Sequence, residues 1–233
     1  MGILQDRVAL VTGSSRGMGK AIARALAQEG AKVALCARNA EEVRKAADEI
    51  SPGDGRVLGF RADVTDKADV RGLVQTVVAR WGQIHILVNN AGANARIPIE
   101  SEDDARWRAV LDSTVLGTYY ATREVLRHMP DHAGGRVINL SSILGRFGVP
   151  GYTAYCTAKH GIIGFTRALA LEVAGRGITV NAICPGWVET SMADRGMAET
   201  AVALGITKDE FRRQALEAVP IKRILDPREI ADL

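Results

Sequence analysis

Tyr155 and Lys159 stand four residues apart in the stretch Gly151-Tyr152-Thr153-Ala154-Tyr155-Cys156-Thr157-Ala158-Lys159-His160. On a helix this spacing stacks a phenol and an ammonium on one face. A free tyrosine titrates near ~10, so at neutral pH it is a poor base and a poor acid. A lysine cation held close by favours the phenolate and is expected to pull that value down. The pair can then exchange a proton with an alcohol or a carbonyl. Tyrosine and lysine also meet at this spacing by chance on amphipathic helices, so the rest of the chain decides its meaning.

A second constellation lies near the amino end: Thr12-Gly13-Ser14-Ser15-Arg16-Gly17-Met18-Gly19, after an apolar run and before an Ala- and Leu-rich one. Glycines allow a tight turn and let a pyrophosphate approach a helix amino terminus. A glycine triplet alone is a weak signal, but between the first strand and first helix of a βαβ unit it is a strong one. The end of the second strand should then meet the adenosine ribose, where an Asp or Glu usually holds a free 2′-hydroxyl. This chain reads Cys36-Ala37-Arg38-Asn39, with no acid. Arg38 and Arg16 can instead grip a 2′-phosphate, which favours NADPH over NADH.

The elements that position these residues alternate. Strands are expected at 7–12, 32–37, 56–61, 84–88, 136–140 and 179–183, and helices at 20–29, 41–50, 67–80, 103–128 and 152–174. Near-continuous apolar strands alternating with helices imply an α/β fold with a parallel sheet covered on both faces. Neither linker nor repeat interrupts it, so 1–233 reads as one domain. In such sheets ligands bind at the carboxyl ends of the strands. The segment 191–219, helical in composition and outside the βα repeat, is expected to cover a substrate as a lid.

Composition narrows the classes. Hydrophobic residues make up 47% and charged residues 24%, ordinary for a globular protein. A net charge of +3 without a basic stripe argues against nucleic acid. No apolar run reaches the ~20 residues that cross a bilayer, and charges at Asp6 and Arg7 fall where a secretory core would lie. Cys36, Cys156 and Cys184 are odd in number and lack Cys-x-x-Cys spacing, which fits buried thiols in a cytoplasmic protein. No metal site is expected, since Pro130 separates His128 from His132.

Taken together, the ordered motifs resemble the short-chain dehydrogenase/reductase family over essentially the whole chain. They are Thr12-Gly13-x-x-x-Gly17-x-Gly19, Asp63-Val64, Asn89-Asn90-Ala91-Gly92, Ser142, Tyr155-x-x-x-Lys159 and Pro185-Gly186-x-Val188-x-Thr190. The resemblance implies a Rossmann-type, doubly wound parallel sheet, a nicotinamide cofactor and assembly as a homodimer or homotetramer. It implies that Tyr155 donates a proton to a substrate carbonyl oxygen, and that Lys159 tunes the phenol and holds the nicotinamide ribose. Ser142 would bind the same substrate oxygen as negative charge develops there. Asp63 and Val64 would contact the adenine, Asn90 and Gly92 would floor the cleft, and Val188 and Thr190 would meet the carboxamide.

Two departures stand out. The family often shows Trp-x-x-x-x-x-x-Asn-x-x-Gly in its long helix; here Trp107 and Gly117 are in place, but Thr114 occupies the Asn position. That Asn is implied to hold a water linking the lysine to solvent, so Thr114 either keeps a weaker relay or marks altered catalysis. Asp226-Pro227 reads as the start of a further helix, after which the family's last strand is missing from the sequence given. The chain looks most like β-ketoacyl-thioester reductases, the aromatic polyketide ketoreductases among them. A small or carrier-bound ketone is therefore the expected substrate, with Arg96, Arg146, Trp187 and Met192 bordering its pocket.

Overall fold

The structure is a computed structural model and describes residues 2–233. Six parallel strands form one sheet in the order β3-β2-β1-β4-β5-β6, namely Val57–Arg61, Lys32–Ala37, Val8–Thr12, Ile86–Asn89, Arg136–Leu140 and Thr179–Ile183. Every residue of β1 is buried, as the unbroken apolar run requires of a central strand. Its side chains alternate between two cores. Val8 and Leu10 pack beneath α3 (Lys67–Trp81) and the long central helices, whereas Ala9 and Val11 face α1 (Gly17–Gln28) and α2 (Ala40–Ile50). The strand order reverses between β1 and β4, which opens a crevice at their carboxyl ends.

Boundaries differ from expectation where local chemistry intervenes. Helix α1 begins at Gly17, three residues early, so Gly17, Met18 and Gly19 form its first turn. The stretch expected as one helix over 103–128 is α4 (Asp104–Leu111) and α5 (Gly117–Leu126), joined by a π-helical turn at Asp112–Leu116. Ser113 explains part of this, because its hydroxyl donates back to the Ala109 carbonyl at 2.7 Å and competes with the helical ladder. Gly117 follows because a Cβ there would lie 2.7 Å from Val64, too close for any side chain.

Beneath the sheet's carboxyl edge runs a buried amide ladder. Asn89 Nδ2 donates to Asn139 Oδ1 at 2.8 Å and to Thr122 Oγ1 at 2.9 Å, and Asn139 Nδ2 donates to Thr166 Oγ1 at 2.9 Å. The ladder joins β4, β5, α5 and α6 (Thr153–Val173). The segment expected as a lid is two helices, α7 (Ser191–Leu204) and α8 (Lys208–Glu217). Asp226 caps α9 (Pro227–Ala231) with Pro227 at its first position, and α9 rests on α1.

Candidate active site

The crevice holds a cleft of about 570 Å³. Its walls include Gly13, Ser15, Arg16, Gly17 and Met18 from the glycine turn, Arg38 after β2, and Asp63 and Val64 after β3. Asn90 and Gly92 after β4, Tyr155 and Lys159 of α6, and Thr190 are the other residues expected from sequence that line it. The chain elements explain this convergence. Gly13 (φ 63°) turns sharply where a Cβ would sit 2.8 Å from the Ala91 backbone, so the turn lies directly on the loop after β4. Asn90 locks the two together, its Nδ2 donating to the Thr12 and Gly13 carbonyls at 3.0 and 2.8 Å. Thr12 Oγ1 accepts from the amides of Asn90 and Ala91, both at 3.1 Å.

Gly19 is buried behind the turn and not in the cleft wall. A Cβ there would collide with Asn90 Nδ2 and the Gly13 carbonyl at 2.5 Å, so its role is to let α1 close on the turn. Helix α1 has no side-chain cap, whereas α2 and α3 are capped by Asn39 and Asp66. The first amides of α1 are thus left for an anion in the cleft. A bare helix start, a turn tolerating no Cβ at Gly13, and the basic side chains of Arg16 in that turn and Arg38 after β2 fit a dinucleotide.

Tyr155 sits on the cleft wall, with the Lys159 ammonium 5.5 Å from its ring centre. Lys159 is buried, and its Nζ donates to the Leu140 carbonyl at 2.7 Å. Burial pushes the Tyr155 phenol up to about 12, opposed in part by the adjacent Ser142 hydroxyl. Burial pulls the Lys159 ammonium down to about 8. This corrects the expectation that the lysine lowers the phenol. Desolvation is the largest cause for both, and each group moves toward its neutral form.

Ser142 is buried at the end of β5, where its Oγ accepts from the Leu144 amide at 3.1 Å and caps a short 3-10 turn. That bond uses an acceptor site and leaves the hydroxyl proton to donate toward the adjacent Tyr155 phenol or toward a bound oxygen. Ser141, which sequence reasoning passed over, donates to the Lys159 carbonyl at 2.8 Å and ties β5 to α6. Thr114 lies in the π-turn, 1% exposed, and its Oγ1 has no hydrogen-bond partner. A Cβ on Gly92 would lie 3.1 Å from Thr114 Oγ1 and 3.8 Å from Lys159 Nζ, so all three share one small space.

The remaining expected residues stand off the cleft wall. Pro185 is buried and its carbonyl accepts from the Ile143 amide at 2.9 Å. Gly186 is exposed, and a Cβ there would lie 3.8 Å from Ile143 Cδ1. Val188 is core, 3% exposed, paired by a β-bridge to Leu225. Of the four residues expected to border a substrate pocket, Met192 alone lines the cleft. Trp187 packs edge-on to Phe211 of α8, with ring centres 6.4 Å apart, because the apolar indole finds a partner on the second lid helix. Arg96 folds over Gly151, and Arg146 is exposed beyond the 3-10 turn.

Sequence reasoning missed Asn39 and Glu42, which also line the cleft. The signal was available, since both sit in the first turn after β2. Among the described residues no three His, Cys, Asp or Glu side chains converge, and no helix is long and apolar enough to cross a membrane. Cys36 is buried, and burial lifts its thiol to about 12, as an inert core cysteine requires.

Comparison with known proteins follows this geometry. The family profile for short chain dehydrogenases matches residues 7–200. A ketoacyl reductase of the granaticin polyketide synthase of Streptomyces violaceoruber is 40% identical over 226 residues, covering 96% of this chain and 83% of that protein. A 3-oxoacyl-[acyl-carrier-protein] reductase of Vibrio cholerae is 37% identical over 228 residues, covering 98% and 88%. Among solved structures, an actinorhodin polyketide ketoreductase variant with NADPH superposes with a TM-score of 0.91 at 37% identity, over 100% of this chain and 90% of that one.

Proposed function

Because this chain belongs to the short-chain dehydrogenase family, we propose that it is an NADPH-dependent ketoreductase. Its substrate would be a β-ketoacyl thioester or polyketide-like ketone, and its product a secondary alcohol. The names of its relatives support the substrate class, and Arg16 and Arg38 at the adenosine end of the cleft support NADPH. When bound, the reduced nicotinamide supplies the hydride. The chain's own residues then handle the carbonyl oxygen and the proton.

The observation that carries the reading is geometric: the Tyr155 phenol stands on the cleft wall with the Lys159 ammonium 5.5 Å from its ring centre and the Ser142 hydroxyl adjacent. With its phenol raised to about 12, Tyr155 is fully protonated at neutral pH and so carries the proton that reduction of a carbonyl requires. As the carbonyl carbon is reduced, its oxygen takes the Tyr155 proton while the Ser142 hydroxyl turns to donate a hydrogen bond to it. Lys159, lowered to about 8, is still mostly protonated at neutral pH and can return a proton to the phenolate. Gly13, Gly17, the first amides of α1, Asn90 and Thr190 would hold the dinucleotide, with Asp63 and Val64 at the adenine.

Helices α7 and α8 would act as the lid. Helix α7 is tethered, since Tyr152 bonds Thr200 at 2.8 Å and Glu199 accepts from the Arg96 amide at 3.2 Å. Helix α8 has no buried residue and is the freer half. A second reading, a cofactor-binding member with weak turnover, draws on the unpartnered Thr114 hydroxyl beside Lys159. Ketone-dependent NADPH oxidation separates the two. Tyr155→Phe should cut turnover at least ~100-fold while NADPH binding persists; near-normal turnover in that variant would refute the mechanism.

A further inference from the structure

We infer that Glu42 sets how strongly this chain distinguishes a 2′-phosphorylated adenosine from a plain one, by occupying the place a 2′-phosphate would take. The inference rests on the NADPH reading above. Glu42 lies at the third position of α2 and reaches back across the cleft mouth. Its carboxylate accepts from Ser15 Oγ at 3.4 Å and from Asn39 Nδ2 at 3.3 Å, and it lies 3.9 Å from Arg16 Nη1. Asn39 itself is fixed, because its Oδ1 accepts from the amides of Glu41 and Glu42. One carboxylate thus clasps the glycine turn to the loop after β2, using Ser15 and Arg16 of that turn.

These donors are the ones a phosphate on the adenosine ribose would need. Arg38, by contrast, has no carboxylate within ion-pair distance among the described residues and is free to receive it. A phosphate arriving beside Arg38 must therefore displace Glu42 from Arg16, and it meets a like charge as it does so. A 2′-hydroxyl meets neither obstacle, and the same carboxylate can accept its hydrogen bond. Glu42 acts against the two arginines and leaves a plain adenosine end tolerated.

The size of the effect follows from exposure. The Arg16 and Glu42 side chains are 66% and 49% exposed, so the pair is screened and its loss is worth only a few-fold in affinity. The test is calorimetric titration of 2′,5′-ADP and 5′-ADP into wild-type protein and Glu42→Gln, which preserves the helix start. Glu42→Gln should bind 2′,5′-ADP about three- to fivefold more tightly, with 5′-ADP unchanged or weaker. Glu42→Asp, whose shorter carboxylate withdraws from Arg16, should give a smaller gain. An unchanged or weakened 2′,5′-ADP affinity in Glu42→Gln, or equal tightening of both ligands, overturns the inference. The wild-type protein alone tests the NADPH reading, which fails if 2′,5′-ADP binds no more tightly than 5′-ADP.

Discussion

Replacing Lys159 with Met should make the protein more stable at neutral pH while abolishing reduction. The ammonium is buried and its one hydrogen-bond acceptor in the structure is the Leu140 carbonyl. Burial lowers its pKa from 10.5 to about 8. The charged form is therefore disfavoured in the fold by about 3 kcal/mol at pH 7. Between pH 8 and 10.5 the unfolded chain still binds this proton and the native one has released it, so stability rises with pH across that window. Below pH 8 both states are protonated and the full penalty persists. Methionine removes the charge at similar volume but leaves the Leu140 carbonyl unpaired, a loss of about 1 kcal/mol. The net expectation at pH 7 is a gain of about 2 kcal/mol. Urea unfolding of both proteins at matched concentration, in steps from pH 7 to 10.5, reads this directly. The wild-type protein should gain about 3 kcal/mol relative to the variant across the window. A wild-type-minus-variant difference that stays flat from pH 7 to 10.5 would refute the assignment of a depressed lysine.

Thr114→Val should hold or raise stability by up to ~1 kcal/mol, because it deletes a buried hydroxyl that has no partner. If that hydroxyl serves Lys159, turnover falls and its pH profile shifts, and Thr114→Ser restores both; an unaltered profile in Thr114→Val removes Thr114 from the chemistry. His85 is buried with Nδ1 accepting from the Val8 amide at 3.0 Å, and burial, helped by Arg7, lowers its pKa. The unfolded chain therefore takes up the proton first, and stability should fall as pH drops below about 6.5. His85→Gln should flatten the change in urea midpoint between pH 7.5 and 5.5, and an equal slope in both proteins would count against it.

Much of the candidate site was legible in residue order. Strands announced themselves as apolar runs because the sheet is buried on both faces, and the glycine turn and Tyr155-x-x-x-Lys159 are local patterns. The π-turn at Asp112–Leu116 was not legible, since one extra residue per turn barely disturbs a helical pattern and its cause is a side-chain bond from Ser113. Nor was the direction of the Tyr155 and Lys159 shifts. Spacing shows that two charges can meet, but only the packed structure shows that burial governs both. Val188 and Trp187 followed the same logic, as their partners Leu225 and Phe211 come from distant segments.

The Asn89–Asn139 pair bears on how the chain finds its alignment. Strands of Val, Ile and Leu slide past one another with little penalty when apolar residues flank them on both faces. The amide pair matches at one offset of β4 against β5 alone, where Asn89 lies beside Asn139. A slip of two residues keeps the apolar faces inward but strands both amides in the core. It would also carry Ser142 about 7 Å along β5, away from Tyr155. A polar contact with no role in the chemistry thus acts as a gauge pin. The protein cannot close its core comfortably unless Tyr155 and Ser142 are already in line.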